Sequence, residues 1–117
     1  MPGISIHVVD VARGVVARGL CVRVERLTDE GRTLVAEGAV ADDGLLHAPE
    51  IAGELPAGIY EVTFRIGEWL RSADARMPNF PFLDSVPYRF GLDDTSAHYH
   101  LPFKFTPWGF SCFRGGA

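Results

Sequence analysis

The stretch His98-Tyr99-His100-Leu101-Pro102-Phe103-Lys104-Phe105-Thr106-Pro107-Trp108-Gly109-Phe110-Ser111-Cys112-Phe113-Arg114-Gly115-Gly116-Ala117 decides how the rest of the chain is read. Two alternating runs flank a Thr106-Pro107 break. Alternation of this kind predicts two β-strands, and proline, which has no N–H to give to a sheet, is tolerated only at the turn or at a strand start. The period of two places His98, His100, Pro102 and Lys104 on one face, with Tyr99, Leu101, Phe103 and Phe105 on the other. Imidazoles paired on one face of so aromatic a strand are an unusual use of histidine. Chain ends usually fray, but the aromatic residues and Arg114 of this one predict a docked segment.

Working outward, Val86, Tyr88, Phe90 and Leu92 alternate before a turn at Asp93-Asp94-Thr95-Ser96. Residues 59–66 form the clearest strand, with Tyr60, Val62, Phe64 and Ile66 facing in and Glu61, Thr63 and Arg65 facing out. A short helix is expected over 68–76, ended by Pro78-Asn79-Phe80-Pro81. Further strands are expected over 19–27 and 33–40, separated by a turn at Thr28-Asp29-Glu30-Gly31. Asp42-Asp43-Gly44 supplies hairpin-turn chemistry before a short strand over 45–47 and an irregular connection over 49–58. At the start, residues 4–10 alternate: Ile4, Ile6 and Val8 share one face, Ser5, His7 and Val9 the other. Many short strands with frequent turn signals predict an all-β sandwich. With no linker-like stretch, residues 1–117 read as a single domain.

The chain of 117 residues carries a formal net charge of −4 and no Lys/Arg cluster, which argues against nucleic acid. No apolar run approaches a membrane span, and the first residues do not resemble a signal peptide. Cys21 and Cys112 make no disulfide framework and fit a reducing compartment. The expected location is cytoplasmic.

His7 alone reads as a surface histidine. Together with His98 and His100 it could form an open three-imidazole zinc site. No carboxylate or cysteine stands at ligand spacing to complete one, so no metal is expected. Ser111 and Cys112 are nucleophiles by type, but neither lies in a nucleophile elbow or has a sequence-defined base. Arg114 beside Gly115-Gly116 either binds an anion or pins the terminus. Phe103, Phe105, Trp108 and Phe110 read as core or subunit interface.

The order of motifs goes further. Ile6-His7-Val8-Val9-Asp10-Val11-Ala12-Arg13-Gly14 resembles the opening H-V-L-D-T-A-R-G of the transthyretin-like 5-hydroxyisourate hydrolases. His98-Tyr99-His100-Leu101-Pro102 and Thr106-Pro107-Trp108-Gly109-Phe110-Ser111-Cys112-Phe113-Arg114-Gly115 resemble that family's H-Y-H-V-P-L and S-P-Y-G-Y-S-T-Y-R-G-S. Asp43-Gly44 falls where the family has A-D-G-R. The resemblance runs nearly the whole chain, in order. It implies a transthyretin-like (prealbumin) sandwich of two four-stranded sheets with one short helix, assembled as a homotetramer with sites in the cleft between dimers. It also implies opening of a purine-like cyclic amide without a cofactor. By position, His7 and His100 match the family's proton-handling histidines, and His98 and Arg114 match as substrate-binding residues. An imidazole near its ordinary pKa can take a proton from water and return it to the leaving nitrogen.

The sequence departs from the pattern at the site. Leu45 stands where the family has arginine, Phe113 where it has tyrosine and Gly116 where it has serine, with Val11 and Cys112 each in place of threonine. Losing one well-placed donor commonly costs about 3 kcal/mol, roughly a hundredfold in rate. The expected binding wall of Leu45, Phe113, Gly116 and Cys112 is therefore less polar than the family's, and roomier at Gly116. These residues predict a hydrolase turned to a less polar substrate than hydroxyisourate. The alternatives are a related acid/base enzyme, such as a cyclase or dehydratase, or a non-enzymatic small-molecule carrier. His47, expected on the same face as Leu45, is either a surface histidine or a partial replacement for the lost cation.

Overall fold

The computed structural model describes residues 2–116. In chain order its elements are β1 (Gly3–Asp10), β2 (Val15–Val16), β3 (Cys21–Thr28), β4 (Gly31–Ala39), α1 (Pro49–Ala52), β5 (Gly58–Arg65), α2 (Ile66–Ala73), β6 (Ser85–Leu92), β7 (His98–Thr106) and β8 (Gly109–Cys112). They form two four-stranded sheets, ordered β2-β1-β7-β8 and β4-β3-β5-β6. The alternation in the sequence explains why the sheets face each other. Ile4, Ile6 and Val8 of β1 and Leu101, Phe103 and Phe105 of β7 point inward and are buried against Val22, Val24, Tyr60, Val62 and Phe64 of the second sheet. Across this seam the rings of Phe64 and Phe103 stack with centroids 3.8 Å apart. Each such side chain contributes about 1.5–3 kcal/mol by leaving water, so the inward rows fix the register of both sheets.

Most of the strand pairs are antiparallel, but β1 and β7 run parallel. Their register sets Ser5 opposite His100 and His7 opposite Pro102. Since the inner faces are apolar, the polar residues of both strands are forced onto one outward row.

Three local expectations need correction. The helix starts two positions early, at Ile66 directly after β5, because Ile66, Gly67 and Leu70 together bury one helical face. Residues 45–47 do not form a strand. Leu45 makes an isolated bridge with His7, and the Leu46 N–H donates to the Ile6 carbonyl at 3.1 Å. The connection over 49–58 contains the single turn α1, which begins at Pro49, a residue whose fixed φ suits a first helical position.

Candidate active site

The outward row of β1 and β7 is where the histidines meet. Ser5, His7, His98 and His100 are all partly buried. The Ser5 hydroxyl lies 2.8 Å from His98 Nε2 and 2.6 Å from His100 Nδ1, bridging two imidazoles that the period of two set side by side. His98 Nδ1 faces the Pro2 carbonyl at 3.4 Å. His7 stands two residues beyond Ser5, and its Nε2–H donates to the Asp43 carbonyl at 3.2 Å.

The turn carrying Asp43 is fitted closely to His7. Gly44 has φ +83°, a conformation that side chains disfavour, and a Cβ there would lie 2.5 Å from His7 Nε2. The Gly44 carbonyl accepts the Val8 N–H at 2.9 Å, tying the turn to β1. One Asp43 carboxylate oxygen accepts the Leu45 N–H at 3.0 Å, and the other meets His47 Nε2 at 2.7 Å. These bonds, the Leu45 N–H first and His47 second, hold the Asp43 carboxyl below the usual carboxylate range. His47 is thus held by Asp43 at the rim.

Beside the row opens a cavity of about 570 Å³, lined in part by Ile4, Ser5, Leu45, His47, Ile51 and His98. Its wall is mostly hydrocarbon, with the imidazoles of His47 and His98 on it, while His7 and His100 stand outside its lining, further along the row. Burial, then the charge of His7, then that of His98 push the His100 pKa below the ordinary histidine value. His100 is therefore poised as a neutral base near pH 7.

Of the residues expected at the site, His7, His98, His100 and Leu45 come together. Gly116, at φ +54°, lies against His100, with its would-be Cβ 3.8 Å from the His100 Cβ and Cδ2. Phe113 closes the same edge, since a Cβ on Gly115 would touch both its ring and Pro102 at 3.3 Å. Two expected residues are not brought in. The Arg114 guanidinium lies over the Tyr99 ring, 4.0 Å from its centroid, and reaches the His98 carbonyl at 3.4 Å. Tyr99 belongs to the inward row, so within one chain the guanidinium is held between the Tyr99 ring and the His98 backbone. Cys112 pairs with Phe103 and shares its inward face. Burial pushes its thiol up to about 11, which leaves it protonated and inert at neutral pH. Ser5 is the residue that sequence reasoning passed over. Its signal was there, on the His7 face of an alternating strand, but a serine on a strand carries no chemistry until a parallel neighbour supplies imidazoles.

Among the described residues no group of three or more His, Cys, Asp or Glu side chains is arranged to hold a metal ion. No helix among them is long and apolar enough to cross a membrane.

The profile of the HIUase/Transthyretin family matches residues 4–115. The chain belongs to the HIUase/Transthyretin family. Within it, a 5-hydroxyisourate hydrolase of Deinococcus radiodurans is 44% identical over 97% of this chain and 96% of its own length. The solved structure of an (S)-allantoin synthase superposes with a TM-score of 0.88 at 38% identity, covering 97% of this chain and 43% of that one. Transthyretin from Sparus aurata has a TM-score of 0.83 at 21% identity, covering 98% of this chain and 97% of its own, and shares the fold. The transthyretin-like sandwich of the HIUase/Transthyretin family is thus the scaffold on which the histidine row is displayed.

Proposed function

We propose that this chain hydrolyses a cyclic amide, with His7 and His100 handling the proton of the attacking water, and that its substrate is less polar than 5-hydroxyisourate. One observation carries the reading: the imidazole row adjoins a cavity of about 570 Å³ walled by Leu45 and other apolar side chains. In the reaction, His100 takes a proton from water as the oxygen attacks the ring carbonyl carbon. The tetrahedral oxyanion then collapses, the carbon–nitrogen bond breaks, and the departing nitrogen receives the proton from an imidazolium. The products are a carboxyl group and an N–H on an opened ring, and no cofactor enters the balance. His7 lies on the same face and can serve the other proton position. Leu45 lines the cavity, and Gly116 and Phe113 lie at the His100 end of the row. We further propose a cytoplasmic homotetramer with sites between dimers, to be checked by native mass.

Comparing 5-hydroxyisourate with alkyl- and aryl-substituted cyclic amides tests the reading. Turnover of a substituted ring, lost in His7→Ala and His100→Ala, is the expected result. Hydroxyisourate decay at the rate of ordinary family hydrolases would refute the altered substrate. The apolar cavity also suits a carrier, which would bind an apolar ligand without turnover and be indifferent to His7→Ala.

A further inference from the structure

Counting hydrogens along the histidine row assigns Ser5 a task. A neutral imidazole has one N–H and one lone pair, and a serine hydroxyl has a single hydrogen to give. The Pro2 carbonyl facing His98 Nδ1 at 3.4 Å can only accept, so Nδ1 of neutral His98 carries the proton and Nε2 carries the lone pair. Ser5 must then donate its O–H to His98 Nε2, across 2.8 Å. Having spent its only hydrogen, the hydroxyl can only accept from His100, across 2.6 Å. That places the neutral His100 proton on Nδ1 and leaves its Nε2 with a free lone pair.

We propose that Ser5 is a positioning residue that selects the His100 tautomer in which Nε2 is the base. The proposal rests on the reading of His100 as proton acceptor and adds how that nitrogen is made available. The chain runs from the Pro2 carbonyl through His98 and Ser5 to His100. When Nε2 takes a proton from water, the Nδ1–H stays on Ser5, so the hydroxyl also supports the imidazolium that forms. Without Ser5, neutral His100 is free to place its proton on Nε2, which cannot then act as a base. His98 gains a purpose that needs no contact with substrate: it orients the serine.

Nitrogen NMR of the wild-type protein with labelled histidine, at a pH where His98 and His100 are both neutral, tests this before any variant is made. The expected spectrum has the proton on His100 Nδ1; a proton on Nε2 would overturn the inference. In Ser5→Ala the tautomer should shift toward Nε2–H and kcat should fall by about tenfold or more with little change in KM, while Ser5→Thr, which keeps the hydroxyl, should restore both. An unchanged tautomer in Ser5→Ala would also overturn it. A tautomer that shifts while kcat holds would support the role of Ser5 and instead refute His100 as the base.

Discussion

Replacing Gly44 by alanine is a sharp test of where His7 sits, because two separable penalties follow. The first is conformational. At φ +83° an L-residue is strained, which costs about 1–2 kcal/mol, or a fall in Tm of roughly 4–8 °C for a chain of this size. The second is steric. The new methyl would stand 2.5 Å from His7 Nε2, 2.8 Å from His7 Cδ2 and 2.8 Å from Val16 Cγ1. Ordinary contact needs about 3.4 Å or more, so the imidazole has to withdraw by roughly 1 Å, a displacement that can cost about a hundredfold in rate. Its hydrogen bond to the Asp43 carbonyl would go with it. Gly53→Ala is the control, since its φ is −115° and a Cβ there meets nothing within 4 Å. The assay pairs thermal melts with kcat/KM on whichever cyclic amide the wild type turns over. A Gly44→Ala protein that melts several degrees lower yet keeps its kcat/KM would refute the placement of His7 in the chemistry.

Leu45→Arg should raise 5-hydroxyisourate turnover by about a hundredfold, the worth of one well-placed donor, as read by decay of its absorbance. Because His100 must be neutral to accept a proton and its pKa is lowered, the acid limb of kcat/KM should lie below about pH 6.5. His98→Gln removes one of the opposing charges and should move that limb upward. The same shift gives stability its sign: the His100 contribution is whole above about pH 6.5 and is lost as pH falls through the lower folded value, so melts of His100→Gln should lose less on acidification than wild type. Cys112, whose thiol is pushed up to about 11, should alkylate slowly at pH 8, and Cys112→Ser should leave kcat within about threefold, as expected for a side chain remote from the reacting atoms.

What the sequence made legible follows from how each signal is encoded. Period two in β5 and β7 names the inward side chains directly, because a sheet alternates its faces whatever its neighbours are. The same rule put His98 and His100 on one face. Partners are another matter: that β1 lies parallel to β7, with Ser5 opposite His100, is a tertiary fact, and Ser5 stayed invisible without it. The helix boundary blurred because Ile66 satisfies both the last inward position of a strand and the first buried position of a helix. Arg114 offered two readings in sequence, and its stacking on Tyr99 within one chain is a contact that only the folded neighbours reveal. Cys112 shares the inner face of Phe103, which a one-dimensional motif does not encode.

Ser5 and His100 meet across 95 positions of sequence. Such a centre has no local precursor: no hairpin or fragment formed early can contain half of it in working order, and closing so long a loop is among the slower events in folding. Chemistry here would switch on only with completion of the sandwich. Onset of catalysis during refolding would therefore follow both the pairing of β7 with β1 and the assembly of the proposed tetramer.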